Sequence, residues 1–478
     1  MGLFSSPENV VGVSTWASKR NNSNPFWWKD PGMRRLAFWI FIYYLSMLSV
    51  GYDGALLTGL QVMPFWLSYF NNPAGSYFGL MTAAQSFGAL ISPPFGSYIA
   101  DRWGRRVPVF IGAFLTVLGT IVQASAHSGN VFIGSRVIVG FGNVINYTIA
   151  PVLISELAHP RQRGPAATIY NQLYYGGSII AAWTTFGTLR IASNWSWRIP
   201  VIIQGVGGLV QLFLVPFSPE SPRYYVSKGK IEEARAVLAR YHANGDLDDE
   251  LVQFQLAEII AEHEDAVSRK GSTSWLQLFA TPGNRKRSLI CVIVGFGSQW
   301  NGYGITSYYL PQILKTVGIT NPNSQAGLNG GLSIWSFLHY AGAGWSTGLN
   351  IAYPCEIMPY NLRSKGLAII LVAAYVSIAA NQYLNPVALV AIAWKYYFVY
   401  LAILGSLVII FYFYFPETRG CTIEEVAIIF DGPNTTNVLH VVEMEKGGPI
   451  TIHDGLHDDT IRSEKDVASD MKPRASRV

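Results

Sequence analysis

The feature that most constrains this chain is a short charged turn between two long apolar runs, one beginning at Tyr77 and the other ending at Ala124. The turn, residues 101–106, reads DRWGRR. Because each run is long enough for a helix to cross a bilayer, the three segments predict a transmembrane helical hairpin with the turn at one membrane face. Three arginines against one aspartate predict that this face is cytoplasmic.

The composition of the whole chain extends this prediction to many spans. Of 478 residues, 50% are hydrophobic and 13% are charged, and the mean hydropathy is +0.25. A soluble globular protein would be more polar, so we predict an all-α, polytopic bundle of membrane helices. The net charge of +5 comes from basic residues in short loops, which is typical of orientation signals and not of a nucleic-acid-binding surface.

The order of apolar and polar segments predicts two halves separated by a cytoplasmic insert. Basic loops alternate with loops of little charge, which predicts that both termini are cytoplasmic. The second half shows fewer apolar runs than the first, so about ten spans are predicted in total. The predicted segments are a tail over 1–33, a six-span half over 34–217, an insert with amphipathic helices over 218–287, a second half over 288–415 and a tail over 416–478.

Two charged residues, Asp53 and Arg136, lie inside predicted spans. An ionisable side chain in hydrocarbon is costly, so Asp53 requires a partner or a function, and Arg136 is the obvious partner. If the two pair, protonation of Asp53 would release Arg136, which is the minimal machinery of proton coupling. The alternative is an acid near a helix end whose side chain reaches the membrane interface.

Several loops on the predicted cytoplasmic side combine an acid with an arginine. In two of these sets, one in each half, the arginine follows the acid by seven residues, which suggests an internal repeat and two halves that meet at a central site. The alternative is that they are solvated loop charges that only set orientation. The sets are Asp101 with Arg105 and Arg106, Glu156 with Arg163, Glu220 with Arg223, Glu356 with Arg363, and Glu417 with Arg419.

Amide side chains within the predicted spans are candidate substrate contacts. A sugar presents many hydroxyl groups and two apolar ring faces, so its site needs amide groups and aromatic surfaces. The alternative for each amide is hydrogen bonding between helices. The candidates are Asn171, Gln172, Gln299, Asn301, Asn329 and Asn381, with Gln382 beside them and aromatic surfaces from Trp300, Tyr303, Tyr308 and Tyr309.

No arrangement of residues predicts catalysis, a cofactor or a metal ion. The glycine-rich stretches follow no strand, and the eight histidines mostly lie in loops and tails. Cys291, Cys355 and Cys421 show neither a disulfide framework nor a metal-ligand spacing. We therefore predict a membrane protein that is not an enzyme, whose partners are a small molecule, protons and lipid, with no obligate protein partner.

Together these motifs resemble the sugar porter family of the major facilitator superfamily. The resemblance covers most of residues 36–430. It rests on GYD at 51–53, DRWGRR at 101–106, the loop 156–163, PESPR at 219–223, residues 299–309, the loop 356–363 and PETRG at 416–420. The segments NQYLNP at 381–386 and WKYY at 394–397 are similar to the fungal lactose-permease-like branch.

The resemblance implies a sugar:proton symporter of the plasma membrane, built from two halves of six spans each. Asp53 matches the aspartate that the family's proton symporters carry in the first span, and Arg136 matches its arginine partner. The charged loop sets match charges that stabilise the outward-facing state of the family. The implied substrate is a hexose or a disaccharide such as lactose or cellobiose.

Sugar contacts are also implied residue by residue. Gln299 and Asn329 match sugar contacts of the family, and the sugar-binding glutamine of the fifth span falls on Asn171 or Gln172. The chain departs from the pattern at Gly304, where the family has an asparagine. The family pattern therefore predicts a sugar without identifying which one.

A larger departure from the family is a gap between residues 337 and 345. A second copy of the Asp-Arg-x-Gly-Arg-Arg turn is expected between the eighth and ninth spans and is absent. From this absence we predict that a block of about fifty residues has been lost, through a skipped exon or a gene-model error. Because alternating access requires two comparable halves, the chain as written is then not expected to transport. Two alternatives to a working transporter follow: a non-transporting sugar sensor that signals through its tail, and an inactive truncated isoform.

Overall fold

The computed structural model describes residues 19–24, 26–269, 275–300, 302–342, 357–358, 362–392, 395–416 and 430. These residues form helices and loops, with no β-strand among them. The α-helices are α1 Pro31–Leu60, α2 Pro64–Tyr69, α3 Gly75–Trp103, α4 Arg106–Ala124, α5 Gly129–Leu157, α6 Arg163–Thr188, α7 Trp195–Gln204, α8 Val206–Leu214, α9 Pro222–Ser227, α10 Ile231–His242, α11 Glu250–Arg269, α12 Gln277–Ala280, α13 Pro282–Gly297, α14 Tyr303–Thr316, α15 Pro322–Gly342, α16 Arg363–Ile392 and α17 Tyr396–Tyr414.

Six helical segments of the described chain are both long and apolar enough to cross a membrane. They are α1, α4, α5, α16, α17 and the segment Trp195–Phe217, which contains α7 and α8. The helices α3, α6 and α15 reach spanning length as well, and α13 with α14 forms one interrupted span. The prediction of an all-α bundle of membrane helices is therefore confirmed, and six of its helical segments meet both criteria for a span.

Side-chain caps explain why two of the spanning helices begin where they do. The Asp30 carboxylate accepts a hydrogen bond of 2.9 Å from the backbone N–H of Met33, and Pro31 occupies the first turn of α1. The Ser128 hydroxyl accepts one from the N–H of Val131 at the start of α5. Such caps pair backbone donors that have no partner within the helix.

The first half, α1 to α8, is held by close contacts between its helices. The helix α3 packs along α5, α1 packs along α6, and α4 packs against both α5 and α8. At the crossing of α3 and α5, a Cβ on Gly88 would overlap the carbonyl of Val137, and one on Gly140 would overlap that of Gln85. Small residues let the two backbones approach, which sets α5 side chains directly against α3.

The second half meets the first along three helix pairs: α16 packs against α3, α15 packs against α6, and α14 makes a smaller contact with α1. We name the end of the bundle that carries the turn 101–106 the inner end and the opposite end the outer end. Described contacts between the halves lie toward the outer end, where Gln61 Nε2 donates to the carbonyl of Tyr308 at 2.7 Å. The rings of Phe78 and Tyr309 lie there as well, with centroids 6.0 Å apart.

The insert between the halves forms a small helical core at the inner end. The predicted amphipathic helices are present as α10 and α11, whose apolar side chains Leu238, Val252 and Leu256 pack together. His242, at the end of α10, lies 2.9 Å from the carbonyl of Leu157 at the end of α5. This contact seats the insert against the first half.

Candidate functional site

The most polar buried site of the first half surrounds Asp53. This side chain is 1% exposed, and its carboxylate accepts hydrogen bonds from three amides. Gln204 Nε2 donates to Oδ1 at 2.9 Å, Asn143 Nδ2 donates to Oδ2 at 3.2 Å, and Gln85 Nε2 also donates to Oδ2. The four residues come from α7, α5, α3 and α1, so the site joins four helices of the first half.

Arg136 is the cation of this site. Its Nη1 lies 4.0 Å from Asp53 Oδ1, and both side chains are almost fully buried. Nη2 donates to Gln85 Oε1 at 2.7 Å, so Gln85 bridges the acid and the base. Removing an ion from water costs several kcal/mol, and a buried pair is tolerated when attraction and hydrogen bonds offset that cost. Gln204, Asn143 and Gln85 supply hydrogen bonds to the carboxylate, and Gln85 supplies one to Arg136.

Three residues of this site were not among the sequence candidates: Gln85, Asn143 and Gln204. Each is an amide within an otherwise apolar run, and this signal was available. A further contact fixes the orientation of the Asn143 amide, since Thr116 Oγ1 donates to Asn143 Oδ1 at 3.0 Å. Asn143 therefore presents its N–H group to Asp53, because its oxygen is already occupied.

A second polar site lies in the second half, around Asn381. Its Nδ2 donates to the main-chain oxygen of Gln299 and to Tyr400 Oη, each at 3.0 Å. Its Oδ1 accepts from Asn385 Nδ2 at 2.5 Å. Asn385 Oδ1 in turn accepts from the hydroxyls of Tyr396 and Tyr400, each at 2.9 Å. Gln299 and Asn381, both predicted, are therefore brought together, and Asn385 and the two tyrosines were missed.

Aromatic surface accompanies this second site. The Trp300 ring stacks on Tyr400 with centroids 5.9 Å apart and planes 26° apart, and on Phe296 with centroids 5.5 Å apart and planes 10° apart. The site thus combines amide groups, hydroxyls and flat apolar faces. This is the combination that a sugar ring requires.

Asn171 and Asn329, two more predicted sugar contacts, have no hydrogen bond to this site among the described residues. Asn171 is exposed, and its Nδ2 donates to the carbonyl of Ala167 in its own helix at 3.2 Å. Gln172 is partly buried beside it on α6. Asn329 is buried on α15 with 8% of its surface exposed. Asn301 lies outside the described residues.

The charged loops of the first half form one network at the inner end. Arg105 Nε lies 3.4 Å from Glu156, and its Nη1 lies 3.6 Å from Asp101. The Glu220 carboxylate accepts from the backbone N–H groups of Arg105 at 2.9 Å and Arg106 at 3.2 Å. Burial raises the pKa of Glu220, while these hydrogen bonds oppose the shift.

The other predicted members of the charge sets have different partners or lie outside the description. Arg223 Nη1 lies 2.6 Å from Glu262 in α11, and Glu156 is joined to Arg105 instead of Arg163. Arg163 begins α6, where the positive charge of Arg223 repels it and the acids Glu258 and Glu262 of α11 attract it. Glu356, Glu417, Arg419 and the side chain of Arg363 lie outside what the structure describes.

With two buried polar sites on opposite halves of a helical bundle, comparison with known proteins decides the family. The family model "Sugar (and other) transporter" matches residues 39–347 and 340–430. The chain belongs to the sugar porter family of the major facilitator superfamily. It is thus a multi-pass membrane protein of a family of sugar transporters.

Relatives within this family include several fungal transporters. An MFS-type transporter of Aspergillus cristatus is 24% identical over 458 residues, covering 84% of this chain and 94% of the relative. The high-affinity glucose transporter of Kluyveromyces lactis is 27% identical over 484 residues, covering 84% and 86%. Myo-inositol transporter 1 of Candida albicans is 33% identical over 247 residues, covering 50% and 44%.

The fold is likewise that of a solved transporter. The inward-open structure of the xylose transporter XylE from E. coli aligns with a TM-score of 0.65 at 19% sequence identity. The alignment covers 83% of this chain and all of the bacterial one. The major facilitator fold expected from the sequence is therefore confirmed.

Proposed function

We propose that this sugar porter moves a sugar together with a proton, and that Asp53 carries the proton. The observation that supports this is the buried Asp53 with Arg136 at 4.0 Å and three amide donors around the carboxylate. An intramembrane acid paired with a base marks proton relays. The three amide hydrogen bonds stabilise the deprotonated carboxylate, and Arg136 supplies the positive charge that balances it.

Protonation would rearrange this site in a defined way. A neutral carboxyl group no longer attracts the Arg136 guanidinium and turns one of its oxygens from acceptor into donor. Gln85 contacts both Asp53 and Arg136, so it must change its hydrogen bonds when either changes. Because Gln85 lies on α3, the helix that packs against α16 of the other half, the change acts at the interface where alternating access occurs.

The sugar in this proposal binds between the halves and is contacted by the amides and aromatic rings of the second half. Gln299 and Asn381 would supply amide groups and Trp300 a flat apolar face. The sugar would replace part of the present contacts, because Trp300 now stacks on Phe296 and Tyr400 and the amide of Asn381 is already hydrogen-bonded. Relatives that transport glucose and inositol support a monosaccharide or a similar polyol, and the lactose-permease-like segments keep a disaccharide among the substrates to test.

The test is uptake of labelled glucose, lactose and cellobiose by a host that lacks its own transporters. Wild-type uptake is expected to rise when the outside is acidified and to collapse with a protonophore. Asp53→Asn should abolish accumulation against a gradient and leave exchange of sugar across the membrane. Asp248→Asn removes an exposed acid of the insert and serves as the control. If neither the outside pH nor Asp53→Asn changes the uptake of any of these sugars, proton coupling is refuted.

A second candidate, an inactive shortened isoform, is favoured by a specific observation. The alignment with the Aspergillus cristatus relative extends over 458 positions but covers 84% of this 478-residue chain, or about 401 residues. More than fifty aligned positions therefore have no residue here. The last helix, α17, has few neighbours: 11% of its most apolar segment is buried, whereas 61% is buried in α1.

A chain with the missing block restored from a full-length transcript discriminates between these candidates. The proposed transporter requires uptake by the chain as it stands. Uptake only by the restored chain, with the shorter form retained in the endoplasmic reticulum, identifies an inactive isoform. A sensor would instead bind sugar without uptake and lose a transcriptional response when residues 432–478 are deleted.

We further propose that the protein resides in the plasma membrane with both termini cytoplasmic. The basic turn 101–106 at the inner end supports this orientation. Epitope tags at the two ends should both require permeabilised cells for detection. A tag that is accessible on intact cells would reverse the orientation.

A further inference from the structure

A cavity of about 440 Å³ lies at the inner end of the bundle, away from both buried polar sites. Three arginines line it: Arg34 and Arg35 from the first turns of α1, and Arg240 from the last turn of α10. All three side chains are exposed. The cavity therefore gathers three positive charges from two elements that are far apart in the sequence.

These three positive charges are not paired with an acid in the described part of the chain. No ion pair there involves Arg34, Arg35 or Arg240. The nearest acid along the helix, Asp30, uses one carboxylate oxygen for the N–H of Met33 and the other for Asn244. Arginines near a helix N-terminus also face the positive end of the helix dipole. An anion in the cavity would relieve both effects.

Most of the remaining lining is aromatic, and three of these aromatic side chains belong to the spanning segments. Phe38 and Trp39 follow the arginines by about one turn of α1, roughly 6 Å further into the bilayer, and Phe217 closes the cavity from the end of the sixth span. Phe38 is 48% exposed and Phe217 is 77% exposed. A soluble anion has no group to place against these rings.

The level of the cavity relative to the membrane is indicated by the chain just before α1. Trp27 and Trp28, in a short 3-10 helix, are 44% and 53% exposed. Exposed tryptophans at the start of a spanning helix are typical of the membrane interface. Arg34 and Arg35 begin only a few residues later, so they lie where lipid headgroups lie.

We propose that this cavity binds the phosphate headgroup of an anionic phospholipid, with the arginines on the phosphate and Phe38 and Phe217 against the upper acyl chain. Guanidinium groups match phosphate oxygens in geometry as well as charge. Basic pockets beside spanning helices on the cytoplasmic side of a membrane, the side proposed above for the inner end, bind such headgroups. The ligand would fix α10 of the insert to α1 of the first half, because Arg240 belongs to one and Arg34 and Arg35 to the other.

The test measures lipid bound to the full chain in nanodiscs of phosphatidylcholine that contain one fifth phosphatidylinositol. Native mass spectrometry should show retained phosphatidylinositol on the wild type. Two variants each remove three positive charges from the inner end, so a general loss of surface charge affects them alike. They are Arg34→Gln with Arg35→Gln and Arg240→Gln, and, as the control, Arg161→Gln with Lys228→Gln and Lys230→Gln.

The first triple variant is expected to lower retention at least tenfold, and the control to lower it less than twofold. Arg240→Gln alone, at an exposed position of the insert, should lower retention about fivefold. Equal retention by wild type and the first triple variant, or equal loss in both triples, would overturn the site.

A second arm distinguishes lipid from free phosphate. Inorganic phosphate and inositol monophosphate are titrated onto the protein in pure phosphatidylcholine nanodiscs. Neither is expected to bind at concentrations where phosphatidylinositol is retained, because neither contacts Phe38 or Phe217. Saturable binding of either one, lost in the first triple variant, would overturn the lipid assignment and identify the ligand as a soluble phosphate.

Discussion

Ser86 Oγ donates a hydrogen bond of 2.5 Å to Oε1 of Gln382, and this bond joins α3 of the first half to α16 of the second. The residue before Ser86 is Gln85, which contacts Asp53 and Arg136. The residue before Gln382 is Asn381 of the second polar site. Successive residues of a helix point about 100° apart. Within one turn of α3, Gln85 therefore contacts the proposed proton site while Ser86 is bonded to the second half, which carries the proposed sugar site.

Ser86→Ala should weaken the closure of the outer end. The substitution leaves the buried Oε1 of Gln382 without its donor, at a cost of about 1–3 kcal/mol. Thermal unfolding of the purified protein in nanodiscs measures this loss. Ser125→Ala is the matched control, since the Ser125 hydroxyl is exposed and donates only within its own helix. Equal stability of the two variants would mean that the bond does not hold the halves together.

Gln204→Ala should destabilise the protein through the charge of Asp53. A hydrogen bond to a charged group contributes about 1.5–3 kcal/mol, and one to a neutral group about 1 kcal/mol. Gln211→Ala is the neutral counterpart, because Gln211 Nε2 donates to the carbonyl of Ile42 at the same 2.9 Å, and its only other bond among the described residues is a long one of 3.4 Å from Asn146. We expect the larger loss at Gln204.

A double-mutant cycle shows whether the Asp53 charge is the cause. In an Asp53→Asn background the cost of Gln204→Ala should fall toward that of Gln211→Ala, since the acceptor is then neutral. Unfolding free energies of the four proteins give the coupling. A cost of Gln204→Ala that is the same in both backgrounds would show that the bond does not act through the carboxylate.

Much of the bundle could be predicted because a bilayer permits few alternatives. Backbone groups in hydrocarbon must be paired internally, so each apolar run had to be a helix. The break between α13 and α14 could not be predicted in this way. The first helix ends at Gly297, and the second begins after Gly302, whose φ of +87° lies outside the helical region. The break also depends on local packing that an apolar run does not show.

The residues of the site could be predicted where a single charged side chain is costly to bury in a membrane. They could not be predicted where the rotation of one helix against another decides which side chains meet. Asp53 and Arg136 each stand out because charge in hydrocarbon needs a reason. The ring of amides depends on how four helices are rotated, and a run of apolar letters does not show this. For the same reason Asn171, which is polar and within a span, was a candidate although its side chain bonds its own helix.

Acidification should destabilise the contact between the insert and the first half. The rings of His159 and His242 lie 5.2 Å apart. Burial, and then His242, lowers the pKa of His159 to about 3, and burial also lowers that of His242. Histidines of the unfolded chain titrate near 6.5, so below that pH the unfolded state binds protons that the folded state does not. Stability is therefore full above pH 6.5 and falls by up to about 1.4 kcal/mol per pH unit for each histidine as the pH decreases toward the folded pKa.

The measurement is the unfolding free energy from about pH 7.5 to about pH 5.5, the range in which histidine titrates. His159→Gln should flatten the profile, because glutamine can still bond Asn21 and does not titrate. His127→Gln, at an exposed outer loop, should leave the profile as steep as in the wild type. A His159→Gln profile as steep as the control would assign the acid sensitivity to other groups.

Tyr400→Phe should weaken sugar binding while the protein still folds, at a stability cost of about 1–3 kcal/mol for the buried amides that each lose a partner. The phenol accepts from Asn381 at 3.0 Å and donates to Asn385 at 2.9 Å, so its loss frees Asn381 from the direction it now holds. The ring remains, and with it the stacking on Trp300. One hydrogen bond corresponds to about 1 kcal/mol, or roughly a fivefold weaker Kd for the sugar. Equilibrium binding of labelled glucose to purified protein measures this. Tyr412→Phe, 81% exposed on the same helix, should bind as the wild type does, and an equal Kd for all three proteins would place the sugar away from Asn381.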